Sequence, residues 1–203
     1  TMIDEDQIKQ FTESFYSELG ARFKGLDISI GVYMSEEHID FRMAIGYAKK
    51  IARQAGERKR KYYICNRRNI KSVLERDDIQ KNIESFIDND EFYQLYQPFV
   101  DTKTGRVIGG EALTRLDNEK HTGVTPNRFM DAIKTEHLNI KFDLYVYRKC
   151  CLWAAQRARH KPLVTCNFSR FTLCEPEIAD KIIKINNDIG AETDAVAIEV
   201  IED

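Results

Sequence analysis

After residue 105 the chain repeats one pattern: a short, nearly continuous apolar run, a segment with helical spacing, then another apolar run. RVIGGEALT at 106–114 reads as a strand. Helices are expected over 127–135 and about 141–159, a strand at 162–167 (PLVTCN), a helix near 176–188 and a last strand at 195–201 (AVAIEVI). Strands that recur after helical connectors need crossovers, and crossovers make neighbouring strands parallel. Apolar runs without polar alternation are expected when both faces of a sheet are covered. In such folds ligands gather beyond the C-terminal ends of the strands. That directs attention to the polar residues at those ends, Glu111 and Arg115 after the first of these strands, Asn167 after the second, and Glu202 with Asp203 after the third.

Ahead of the repeat, FYQLYQPFV at 92–100 is a strand rich in aromatics, joined to 106–114 by the turn sequence Asp101-Thr102-Lys103-Thr104-Gly105. Residues 76–88 are expected to be helical, 66–75 to form a polar connector, and a domain boundary to fall near residue 70. The N-terminal part reads helix, strand, helix, strand. The first helix, 5–19, sets Ile8, Phe11, Phe15 and Leu19 at helical spacing. A strand follows at 27–33, then a helix at 38–55 with Ile39, Met43, Tyr47 and Ile51 on its apolar face and Gly56 ending it. The strand at 61–65 completes an α+β segment that is short for a whole domain.

A net charge of -2 conceals segregation. Residues 49–76 hold eleven Lys and Arg against two Glu, whereas 174–203 hold nine acids against two Lys. A basic block can attract nucleic acid or phosphorylated ligands. Here no stacking aromatics are interleaved at regular spacing and no nucleic-acid motif accompanies it, so a solvated helix end and strand edge is the reading taken, with no DNA or RNA partner. No 18-residue apolar run and no N-terminal signal core are present, so no membrane contact is expected from this segment. Five cysteines without CxxC spacing suggest reduced, buried thiols and a cytoplasmic location. The four histidines have no ligand spacing. Trp153 is expected to pack in the core. The pair Gly109-Gly110 is expected to permit a strand irregularity or a close backbone approach.

Two carboxylates and an amide carbonyl at three adjacent strand ends would make a hard oxygen set suited to Mg²⁺ or Mn²⁺. Arg115, four residues after Glu111, offers a fork that suits a phosphate. The combination points to metal-assisted phosphodiester chemistry. Each residue also has a plain structural reading. Glu111 could be a strand-end acid paired with arginine, and Asn167 suits a helix N-cap or Asx turn ahead of 168–173 as well as it suits a ligand.

YQPFVDTKTGRVIGGEALTRL at 96–116, TPNRFMDAI at 125–133, VTCNFS at 164–169 and IEVIED at 198–203 together resemble the bacterial EAL domain, the cyclic di-GMP phosphodiesterase family. The resemblance spans roughly 76–203 and includes the naming triplet Glu111-Ala112-Leu113. It implies an α/β fold, a partial (β/α) TIM barrel of EAL type, over 71–203. It implies metal ligation by Glu111, Asn167 and Glu202, a phosphate contact from Arg115, and positions on the nucleotide side of the pocket for Gln97 and Leu113. Asp203 stands where the family usually has Ser or Thr. DISIGVY at 27–33, DFRMAIGYAKK at 40–50 and YYICN at 62–66 resemble the rear part of a GGDEF domain without its nucleotide-cyclising signature. Residues 1–70 are therefore expected to be an incomplete α+β GGDEF-like segment.

The family reaction is hydrolysis of cyclic di-GMP to pGpG with Mg²⁺ or Mn²⁺. Eight βα units take about 250 residues, and 76–203 offers about three parallel strands. The family's paired aspartates, its lysine, its late glutamates and its lid-loop residues are not in this sequence. The expectation is that this chain binds the ion weakly or not at all and does not hydrolyse cyclic di-GMP. A non-catalytic binding or dimerisation module is the alternative. A piece of a longer enzyme is the favoured origin, ahead of a natural truncation acting as a scaffold or two copies pairing as a homodimer through exposed strand edges.

Overall fold

A computed structural model describes residues 5–35, 39–117, 119–135, 137–157, 163–192 and 194–201. The chain divides into two compact units, Thr1–Asp78 and Ile79–Asp203. The dividing point falls inside one helix.

The first unit contains α1 (Glu5–Arg22), β1 (Ile30–Met34), α2 (Phe41–Glu57), β2 (Tyr62–Asn66) and the start of α3 (Ile70–Asp88). β1 and β2 pair in parallel, Ile30 with Tyr62 through Met34 with Asn66. α2 is the crossover between them. Asp40 caps it by accepting a hydrogen bond from the Met43 amide at 3.1 Å. A core of Ile51, Cys65, Ile70 and Val73 lies beneath. Gly31 lets α2 rest directly on β1: a Cβ there would lie 2.2 Å from the Ala48 oxygen. α2 does not stop at Gly56. It runs through Glu57, and the chain turns at Lys59, whose φ is 52°.

The expected connector over 66–75 is also shorter. Asn66 and Asn69 bond across a tight turn, the Asn69 side chain accepting from the Asn66 amide at 2.7 Å, and α3 begins at Ile70 because Ile70 and Val73 are buried in this core. The aromatics of α1 do not form a packed stripe; Phe11 and Phe15 stack on each other and stay exposed. The basic block finds partners within the unit. Lys50 reaches the buried Asp77 carboxylate at 2.8 Å, Arg53 bonds Glu57, and Lys61 lies over the Tyr16 ring.

The second unit takes the rest of α3, then β3 (Phe92–Val100), β4 (Val107–Leu116), α4 (Pro126–Thr135), α5 (Asn139–Ala155), β5 (Leu163–Ser169), α6 (Arg170–Leu173), α7 (Ile178–Ile189) and β6 (Val196–Ile201). Its sheet has the order β3-β4-β5-β6. β3 and β4 form an antiparallel hairpin around Asp101, whose side chain accepts from the Lys103 and Thr104 amides. β4, β5 and β6 are parallel, as the alternating pattern requires. Among the described residues the four strands form an open sheet.

One face of that sheet carries the core. Phe92 meets Phe129 and Phe142 edge-on at 5.2 and 5.3 Å, and Phe168 meets Tyr147 of α5. Trp153 is half-buried, stacked on Tyr96, and the Arg157 guanidinium also lies over its ring. β5 buries side chains on both faces, Val164, Cys166 and Phe168 on one and Thr165 and Ser169 on the other, as expected for a covered sheet, whereas Glu199 and Val200 of β6 are exposed. Helix α6 lies in the 168–173 segment that an Asn167 cap would open, but its N-cap is Ser169 and not Asn167.

Candidate functional site

β4 and β5 stay paired for only three register positions, Gly109–Leu163, Gly110–Val164 and Glu111–Thr165. Gly109 allows this close approach: a Cβ there would lie 2.1 Å from the Leu163 oxygen. Past Glu111 the two strands part, β4 continuing against β3 alone. Glu111 therefore sits within β4, at the point of divergence, and not after its end.

Asn167 lies two residues beyond Thr165, on the same face as Glu111. Its amide Nδ2 donates to Glu111 Oε1 at 2.9 Å. Neither the cap reading of Asn167 nor the arginine-pair reading of Glu111 describes these contacts. The N-cap of α6 is Ser169, whose hydroxyl accepts from the Phe171 amide at 3.2 Å, so Asn167 is free to face Glu111. Arg115 does not pair with Glu111; its guanidinium donates to the Thr114 carbonyl at 2.8 Å. Gln97 is the register partner of Glu111 on β3, and Leu113 that of Leu95. A cavity of about 230 Å³ opens where the strands diverge, lined by Leu113, Arg115, Asn167, Phe129, Met130 and Asp143 among others.

Glu202 and Asp203 lie outside the described residues. The sheet brings forward a carboxylate the sequence reading passed over. Glu199 on β6 is the register partner of Asn167, which puts the two on one face. The signal was the period-two alternation of IEVIED, but only strand pairing says which glutamate shares the face of Asn167. A second unforeseen group is Thr165. It is 7% exposed, pairs with Glu111 on one side and Ala197 on the other, and its hydroxyl has no hydrogen-bond partner among the described residues.

Cys166, between Thr165 and Asn167, points to the opposite, core face. A hydrogen bond with Cys150 and burial push its thiol upward, so it stays neutral and is no nucleophile. Among the described residues no group of three His, Cys, Asp or Glu side chains is placed to hold a metal ion. The donor types nevertheless suit a hard cation. Glu111 and Glu199 offer carboxylate oxygens, and Asn167 would offer its carbonyl once its amide rotates away from Glu111.

A parallel α/β sheet with a carboxylate, an amide and a guanidinium gathered at one end has the form of a ligand site at the C-terminal ends of strands. Residues 77–203 match the EAL domain, and the chain belongs to that family. An uncharacterized protein of Mycobacterium tuberculosis strain H37Rv is 27% identical over 102 residues, covering 48% of this chain. The chain spans about a third of the length of the curated relatives it matches: 33%.

Two solved structures share the fold. The FimX EAL domain from Pseudomonas aeruginosa, bound to c-di-GMP, aligns with a TM-score of 0.54 at 20% identity over 61% of this chain and 50% of its own. A Vibrio cholerae LapD structure comprising S helix, GGDEF and EAL aligns at a TM-score of 0.54 and 16% identity, covering 98% of this chain and 47% of its own. No helix among the described residues is long and apolar enough to cross a membrane.

Proposed function

We propose that the chain is part of a cyclic di-GMP signalling protein, and that its EAL portion receives cyclic di-GMP over the diverging ends of β4 and β5. The observation that carries this reading is the Asn167–Glu111 hydrogen bond at the point of divergence. It supports a site in which two sequence-distant polar groups, 56 residues apart, are held together without serving as a cap or an arginine pair. Arg115 at the cavity wall would leave the Thr114 carbonyl for a phosphate, a stronger charge-assisted partner. Leu113 and Gln97 would face the nucleotide.

Glu111, Asn167 and Glu202, or Glu199 of β6 in place of Glu202, would hold Mg²⁺ or Mn²⁺. Such an ion, when bound, supplies polarisation of a phosphoryl oxygen and acidification of water. The chain's own residues orient the phosphate and exclude solvent on the aromatic side of the cavity. Weak ion retention by this chain, and no hydrolysis to pGpG on it alone, are the expected behaviour. The parent activity we assign is a metal-dependent phosphodiesterase. A second reading is a binding or dimerisation module without catalysis. For residues 1–70 we retain a GGDEF-like origin as a proposal.

Calorimetry with cyclic di-GMP, with and without Mn²⁺, tests the binding. Saturable heat is expected, with affinity about tenfold weaker in Arg115→Ala, as loss of a charged hydrogen bond implies. Absence of heat from the unaltered chain refutes the site. Chromatography of the same mixtures is expected to show no pGpG, and product above a metal-free blank refutes the inactivity.

A further inference from the structure

The position of Asn167 depends on a residue that no motif singled out. Asp143 lies on α5, 24 residues before Asn167 in sequence, and is only 4% exposed. Its Oδ2 accepts two hydrogen bonds from the turn that ends β5. One comes from the Ser169 amide at 2.9 Å and one from the Thr172 hydroxyl at 2.5 Å. A buried carboxylate is retained at considerable desolvation cost, so donors aimed at it fix whatever backbone they belong to. Here that backbone is the β5–α6 turn, which starts two residues after Asn167. Asp143 also lines the 230 Å³ cavity together with Arg115 and Asn167.

The geometry points to Asp143 as the positioning residue of the site: it anchors the β5–α6 turn from α5 and thereby sets where the Asn167 amide stands relative to Glu111. β5 needs such an anchor because its pairing with β4 ends at Thr165. Beyond that point β6 pairs with it and α5 packs against it. Asp143 does not reach the ligand in this scheme; it acts through Ser169 and Thr172 on Asn167. The inference rests on the proposed role of Asn167 only for its functional consequence, since the positioning itself is a property of the free protein.

The test uses the full chain and side-chain amide NMR of Asn167, assigned by its loss in Asn167→Asp. Asp143→Asn and Asp143→Ala are expected to shift or broaden the Asn167 amide resonances. Thr172→Val, which removes one of the two bonds, is expected to do so less. Tyr147→Phe is the control. It removes a buried hydrogen bond from the same helix to Asn186, lowers stability, and is expected to leave the Asn167 resonances in place. Unchanged Asn167 resonances in both Asp143 variants overturn the proposal. Equal disturbance by Tyr147→Phe also overturns it, because the effect would then be general loosening of α5.

Titration with Mn²⁺ alone, followed by paramagnetic broadening at Asn167, reads the functional consequence. Affinity about tenfold lower in Asp143→Asn is expected, the loss usual for residues that orient metal ligands. An unaltered chain that shows no Mn²⁺ effect, with the NMR shifts present, refutes the proposed ion site and leaves the positioning role standing.

Discussion

Replacing Gly109 with alanine probes the joint on which the site is built. A Cβ at this position would lie 2.1 Å from the Leu163 carbonyl oxygen and 3.0 Å from its carbon. Carbon contacts are comfortable only near about 3.5 Å, so β4 and β5 must separate by about 1 Å. Forced overpacking costs about 1–3 kcal/mol. The Gly109–Leu163 position is one of only three that join the strands, and weakening its backbone hydrogen bonding adds about 1 kcal/mol. The expected total is about 3 kcal/mol. Gly110→Ala supplies a graded comparison, because its Cβ would meet the Gln97 oxygen at 2.9 Å and its next neighbour at 3.4 Å. A small shift relieves that contact, and about 1 kcal/mol is expected.

The single tryptophan, Trp153, lies in the second unit, so its fluorescence during urea unfolding follows that unit alone. With a urea slope of about 2 kcal/mol/M, Gly109→Ala should lower the midpoint by about 1.5 M and Gly110→Ala by about 0.5 M. A Gly109→Ala midpoint within 0.2 M of the unaltered chain, at about that slope, or a larger loss for Gly110→Ala, refutes the close approach of β4 and β5. The same separation carries Thr165 and Asn167 away from Glu111, so cyclic di-GMP affinity should fall with stability in Gly109→Ala.

Thiol reactivity checks the two cores: Cys65, Cys150, Cys151 and Cys166 are buried and Cys174 is exposed. An aromatic disulfide reagent at pH 8 should find one fast thiol in the native chain and five after denaturation, and two or more fast native thiols would contradict the packing. Alkaline pH gives an independent check. Burial pushes the Cys151 thiol from 9.0 up to about 11 and the Tyr147 phenol from 10.0 up to about 12. Both groups are held neutral in the folded state, so their contribution is complete below pH 9 and is lost as pH rises from 9 through 12. Urea midpoints should be level from pH 7 to 9 and fall beyond, and a level midpoint up to pH 11 would rule the effect out. At the acid end Asp90 behaves oppositely. Partial burial works to raise its pKa, but hydrogen bonds from Lys149 and Tyr145 outweigh that and lower it. Its contribution is present above the ordinary carboxylate value and is lost as pH falls through the depressed one.

Strands and their direction were legible because they rest on local pattern. FYQLYQPFV became β3 without a change of bounds, and the Asp101 turn formed as its side-chain chemistry requires. Pro126 opened α4 as expected for a residue with no amide to donate. Element ends were less legible, since they depend on what lies across from them. α2 ran past Gly56, and α3 began six residues early because Ile70 and Val73 are covered by a core formed from α2 and β2.

The candidate site divides in the same way. Glu111, Asn167 and Arg115 could be picked from sequence because residue type and placement near strand ends are local facts. Their partners could not. That Asn167 bonds Glu111 while Ser169 takes the cap, that Arg115 turns to Thr114, and that Asp143 holds the end of β5 all depend on where strands diverge and which helix crosses beneath them. Glu199 shows the limit most directly. In the string IEVIED two glutamates look equivalent, and the register that pairs Asn167 with Glu199 is set by inter-strand hydrogen bonding. The sequence by itself determined the kinds of groups available and the parallel layout that could assemble them. Only the tertiary structure decided which groups share a face, because a side chain's neighbours across a sheet come from strand pairing at long sequence separation and not from anything written beside it.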